Sequence, residues 1–89
     1  MNEYIYELID QTLDEAFEEE FDIPFYLIDL TESTKGELIA YHSFWTLMDS
    51  INYPFYDKTF EYDIIRHAIC SYRLKIINSF LNNKYPLNP

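Results

Sequence analysis

The stretch "TESTKGELIAYH", Thr31 to His42, decides the fold. It carries Gly36, the chain's single glycine, between the apolar runs "FYLIDL" and "ELIAYH". Read as a turn, the glycine closes a short β-hairpin within residues 25–42 and makes the chain α+β. Read as a helix start, Thr34 caps the first turn and Glu37, three residues on, reaches back in a capping box. Leu38, Tyr41, Trp45 and Met48 then follow at helical spacing to about Ser50, and the chain is mainly α. Both readings share a helix over residues 43–51. They differ in how far upstream it begins.

Upstream of this stretch, "NEYIYELIDQTLDEAFEEEFD" reads as an amphipathic helix. Ile5, Leu8, Ile9, Leu13, Ala16 and Phe17 recur at three- and four-residue intervals and draw one apolar stripe. At 100° per residue, Glu3, Glu7, Asp10, Asp14 and Glu18 fall on the other side. Near the end Glu20 rotates toward the apolar side and Phe21 toward the acidic one. Pro24 then stops the helix at Asp22. Downstream, "NYPFYD" over 52–57 is a turn broken by Pro54. From Thr59, which is placed to cap it, a long C-terminal helix runs to about Asn82. Phe60, Ile64, Ala68, Tyr72, Ile76 and Phe80 are its expected apolar face, and "NNKYPLNP" an expected frayed tail. The expected fold is therefore mainly α, with an acidic N-terminal helix, a central helix and a long C-terminal helix. A hairpin within 25–42 is the alternative.

Eighty-nine residues suit one domain, residues 1–89. Hydrophobic residues make up 48%, and there are nine Tyr, seven Phe and one Trp, enough material for a core despite a formal charge of −10. Cys70 has no second cysteine to pair with, which fits a reducing cytoplasm, or the host's cytoplasm for a viral protein. The N-terminus offers Glu3 and Glu7 where a signal peptide would carry bases. No apolar run is long enough to span a bilayer.

The charge is concentrated. Residues 1–32 hold eleven acids and no base, whereas residues 33–89 hold five acids and six bases. Such a balance argues against direct nucleic-acid binding and against anionic membranes as partners. The pairs Glu3–Glu7, Asp10–Asp14, Asp14–Glu18, Glu15–Glu19 and Glu18–Asp22 are like-charged at i,i+4. At roughly 0.2–0.5 kcal/mol each they cost the helix about 1–2.5 kcal/mol. A solvated surface usually mixes signs and avoids this cost. The face reads either as an ordinary solvated surface or as an imitation of an anionic polymer. Asp10, Asp14, Glu18 and Asp22 rise about 6 Å per four residues, of a similar order to the separation of phosphates along a DNA strand. The expected partner-binding residues are Glu3, Glu7, Asp10, Asp14, Glu15, Glu18, Glu19 and Asp22.

Nine tyrosines exceed what a small core can satisfy, because each buried hydroxyl needs a hydrogen-bond partner. Tyr4, Tyr6, Tyr26, Tyr53, Tyr56 and Tyr62 include surface positions suited to an interface, and a homodimer would enlarge the core. Phe17, Phe44, Trp45, Phe60, Tyr72 and Phe80 are expected inside. His67 and Cys70, with Asp63 one turn earlier, have metal-ligand spacing, but one further histidine, His42, and no further cysteine do not complete a zinc site. A Cys70 nucleophile with His67 as its base lacks both aim and an oxyanion loop. Paired-carboxylate hydrolysis needs a cleft rather than a convex helix. The sequence thus points away from an enzyme, with no cofactor and no metal.

In its small size, acidity and aromatic content, with "NEYIYELIDQTLDEAFEEEFD" carrying the likeness, the chain resembles the acidic DNA-mimic inhibitors of phages, the Arn-like anti-restriction proteins. The likeness covers under a third of the chain and is one of character, since these inhibitors share no motif. It implies a homodimer whose joined acidic surface fills the DNA site of a host restriction nuclease or another basic DNA-binding protein. The rival reading is an immunity protein or antitoxin that plugs a basic toxin through acids and tyrosines. A regulatory helix-binding subunit without charge mimicry is a third.

Overall fold

A computed structural model describes residues 3–50 and 60–86. Three α-helices, α1 (Glu3–Phe21), α2 (Lys35–Ser50) and α3 (Phe60–Lys84), are joined on the α1–α2 side by a short 3-10 turn at Phe25–Leu27. No strand occurs among the described residues. The expected turn at 52–57 and the Thr59 cap lie outside them, as does the side chain of Phe60.

The hairpin within 25–42 does not form. The Glu37 backbone N–H donates to Thr34 Oγ1 at 3.1 Å, and the Thr34 N–H donates to Glu37 Oε1 at 2.8 Å. This reciprocal box satisfies two amides that a helix start leaves open, and Leu38 N–H donates to the Thr34 carbonyl at 2.9 Å as the helix takes over. Gly36 sits inside the first turn of α2, not at a reversal. The preceding connection is local too. Asp29 accepts the Thr31 N–H at 3.0 Å, and Ser33 Oγ donates back to the Asp29 carbonyl at 3.1 Å. Lys84 Nζ, at the far end of α3, donates to the carbonyls of Thr31 and Ser33 at 2.9 Å each. Asn82 to Lys84, expected to fray, are instead the last residues of α3, and Lys84 holds this connection.

Helix α1 ends one residue earlier than the proline suggests. Asp22 adopts φ 63° and its N–H donates to the Glu18 carbonyl at 2.8 Å, a left-handed cap that an aspartate tolerates better than most side chains. Glu20 stays exposed, while Phe21 turns inward against Tyr41 and Phe44.

The core joins Ile9, Leu13 and Phe17 of α1, Leu38, Tyr41, Trp45 and Met48 of α2, and Ile65, Ile69, Cys70 and Ile77 of α3. Phe17 is its centre. Its ring stacks on Trp45 at 5.5 Å and meets Phe25 and Phe44 edge-on at 5.2 Å each. Phe44 and Phe80 are half-buried, as a small core allows. The expected face of α3 is displaced: Ile64, Ala68 and Tyr72 are exposed, and the series Ile65, Ile69 and Ile77 is buried instead. This helix carries apolar residues on most of its circumference, so periodicity leaves its rotation undetermined. The contacts with α1 and α2 set it.

Among the described residues, no helix is long and apolar enough to cross a membrane.

Candidate functional site: the acidic helix and its flanking groove

The structure divides the expected acidic face in two. Asp10 and Asp14 lie beside the buried Ile9–Leu13–Phe17 stripe, only one residue further around each turn, and both face Arg73 of α3. Arg73 Nη2 donates to Asp10 Oδ1 at 2.7 Å, and Nη1 stands 2.7 Å from Asp14 Oδ1 in an ion pair whose angles depart from those of a hydrogen bond. The Arg73 side chain is 12% exposed and its guanidinium lies 4.5 Å from the Trp45 ring centroid, with Phe25 at 5.6 Å. The expectation that Asp10 and Asp14 point outward is thus corrected: they compensate a nearly buried cation. Burial pushes the Asp14 carboxyl above its ordinary value, against the pull of Arg73 and with a further push from Asp10.

Glu3, Glu7, Glu15, Glu18, Glu19 and Asp22 are exposed as expected, and Glu20 joins them. No cation among the described residues pairs with any of these seven. The evenly stepped row Asp10–Asp14–Glu18–Asp22 does not exist as a free surface, because its first two members are paired and its last has left the helix. What remains is a pair of acids at the start of α1, Glu3 and Glu7, and a cluster of Glu15, Glu18 and Glu19 toward its end.

Beside α1 lies a feature that apolar spacing did not show. A groove of about 420 Å³ opens between α1, α3 and the 25–30 connection, with Tyr6, Phe25, Tyr26, Ala68, Tyr72 and Ile76 on its walls and the Asp10–Arg73 pair reaching it. Tyr6 is 42%, Tyr26 74% and Tyr72 66% exposed, so Tyr72, expected inside, is a surface residue. Tyr4 is exposed as expected and Tyr62 half-buried, while Tyr53 and Tyr56 lie outside the described residues. One signal was available: Ile65, Ile69, Arg73 and Ile77 step by four, which places Arg73 within the buried stripe and Tyr72 outside it.

The residues weighed for metal or nucleophilic chemistry are separated. Cys70 is buried, and burial pushes its thiol up to about 12. His67 Nδ1 pairs with Asp49 Oδ1 of α2 at 2.8 Å, and Asp63 takes Arg66 Nη1 at 3.1 Å. Ser71 Oγ lies 3.4 and 3.3 Å from the two ring nitrogens of His67. Near-equal distances mean the hydroxyl is not aimed along one nitrogen's lone pair, so Asp49, His67 and Ser71 lack the alignment of a charge-relay triad. No group of three metal-ligating side chains occurs among the described residues.

The sequence matches no protein-family model, and no characterised protein or solved structure matches it either.

Proposed function

We propose that this protein is a non-catalytic inhibitor, acting in the cytoplasm, that offers the exposed carboxylates of α1 to the DNA-binding surface of a basic protein such as a restriction nuclease. The observation that carries the reading is the set of seven exposed acids on and just after α1 with no cation paired to them among the described residues. Their arrangement opposes helix stability. Glu3–Glu7 and Glu15–Glu19 repel at about 0.2–0.5 kcal/mol each, and Glu18, Glu19 and Glu20 stand at the negative end of the helix dipole at about 0.3–1 kcal/mol each. A cost of about 1–4 kcal/mol is large against a typical stability of roughly 5–15 kcal/mol. A lysine or two would relieve it, yet among the described residues the only acids of α1 paired with a cation are those beside the core. From Glu3 to Glu19 the helix rises about 24 Å, the length of roughly seven base steps. A cationic groove that follows a DNA backbone would find charge at both ends of that span, and would gain the steering and counterion release that DNA gives.

The test is competition. A Glu15→Gln, Glu18→Gln, Glu19→Gln variant should lose most of its ability to displace DNA from the target nuclease while melting no lower than the parent. Raising salt should weaken the parent steeply. Undiminished inhibition by the triple variant would remove the reading. The immunity-protein or antitoxin reading is kept because of the exposed tyrosines beside the acids, a pairing suited to one specific partner. It predicts capture of a single basic toxin that survives high salt.

A further inference from the structure

We propose that the groove between α1 and α3 receives an amphipathic helix of the cationic partner, its apolar side against the tyrosines and its Lys or Arg flank against α1. This rests on the reading of a basic protein as target and names how that target is held. The α3 wall, from Ala68 to Ile76, spans about 12 Å, two turns of a helix, and Ala68 is the small residue that lets a second helix approach. Tyr6, Tyr26 and Tyr72 supply rigid, exposed aromatic area of the kind that dominates binding energy at interfaces.

Charge selects the occupant. Glu3 and Glu7 precede Tyr6 and Asp10 by one turn each, which puts both exposed carboxylates on the α1 rim of the groove. The opposite rim carries exposed Lys75, three residues past Tyr72. The Asp10 and Arg73 charges at the groove already compensate each other, so the α1 rim dominates. A second copy of this chain would bring net charge −10 and the same acidic rim against itself. A helix with Lys or Arg on one flank meets no such repulsion.

The probe is a fluorescently labelled 15-residue helical peptide with Leu at i, i+4, i+7 and i+11 and Lys along one flank, titrated at 0.15 and 0.5 M salt. A scrambled peptide of identical composition is the comparison. The expected result is at least tenfold tighter binding by the striped peptide than by the scrambled one at both salt concentrations, with the affinity of both falling as salt rises. Ala68→Gln, which fills the groove, and Tyr72→Ala should each weaken it tenfold or more, with Leu47→Gln elsewhere on the surface as an unaffected control. Both changes are at exposed positions, and thermal melts verify the fold. Equal binding of the scrambled peptide, or wild-type affinity in both groove variants, overturns the proposal. So does a wild-type dimer that Ala68→Gln converts to monomer in sedimentation, because a second copy would then be the occupant. Failure here, with DNA competition still lost in the α1 glutamine variant, would sink the groove and leave the inhibitor reading standing.

Discussion

Arg73 of α3 stacks its guanidinium 4.5 Å from the centroid of the Trp45 ring of α2, and α1 supplies both carboxylates that balance it. One side chain therefore ties all three helices. The acidic helix packs through Ile9, Leu13 and Phe17, and two of its acids meet a cation that would otherwise be stranded beside the core.

Replacing Arg73 with Met should be among the most damaging single changes. It removes the stacking and leaves Asp10 and Asp14 facing each other without a cation. Removing one partner of a buried pair costs about 3–5 kcal/mol, and because both aspartates retain some solvent contact a loss of about 2–4 kcal/mol is expected. Urea unfolding at neutral pH measures it, and a loss below about 0.5 kcal/mol would show that the pair contributes little.

Asp14 and Asp29 should respond to acid in opposite directions. Asp14 has its carboxyl raised above 3.8, chiefly by burial, so the folded state holds the proton more tightly than the unfolded chain does. Its stabilising contribution is present below the unfolded value and is lost as pH rises through the higher folded one. Asp29 is exposed and lowered from 3.8, chiefly by the Thr31 hydroxyl and then the Thr31 N–H, so its contribution is present above the unfolded value and is lost as pH falls through the lower folded one. Relative to wild type, Asp14→Asn should therefore fare better at pH 7 than at pH 3.5, and Asp29→Asn better at pH 3.5 than at pH 7. Urea midpoints at the two pH values decide it, and parallel shifts in both variants would contradict the assignment.

The start of α2 gives two substitutions of opposite sign. Thr34→Ala removes the hydroxyl that accepts the Glu37 N–H and should cost about 1 kcal/mol. Gly36→Ala should stabilise by about 0.5–1 kcal/mol, because the residue is helical and a Cβ there would meet nothing closer than Thr34 Oγ1 at 4.0 Å. Thermal melting of the two variants checks both. Destabilisation by Gly36→Ala would contradict a helical backbone at that position.

Cys70 should be inert in the folded protein. With the thiol buried and its titration pushed up to about 12, almost no thiolate exists at pH 8. Modification by iodoacetamide at pH 8 is expected to follow the unfolding rate and to accelerate with urea. Rapid labelling without denaturant would place the thiol at the surface.

The sequence by itself determined α1, α3 and the body of α2, and left the start of α2 open between a capping box and a hairpin. The three- and four-residue spacing of Ile9, Leu13 and Phe17, and of Leu38, Tyr41, Trp45 and Met48, is a local property, and so are the reach of Glu37 back to Thr34 and the crowding of like charges along α1. The same spacing set Glu3, Glu7, Asp10, Asp14 and Glu18 opposite the apolar stripe; Glu3, Glu7 and Glu18 are exposed, whereas Asp10 and Asp14 meet Arg73. Only the tertiary structure decided how α3 is rotated, since Ile64 and Ile65, or Ile76 and Ile77, are equally apolar and one of each pair must face out. That rotation carried Arg73 inward to Asp10 and Asp14, and left Tyr72 and Ala68 at the surface as the wall of a groove. Periodicity registers which residues share a face of one helix. Which face a neighbour covers depends on packing between elements distant in sequence, and here that packing selected both the acids that stay free and the surface beside them.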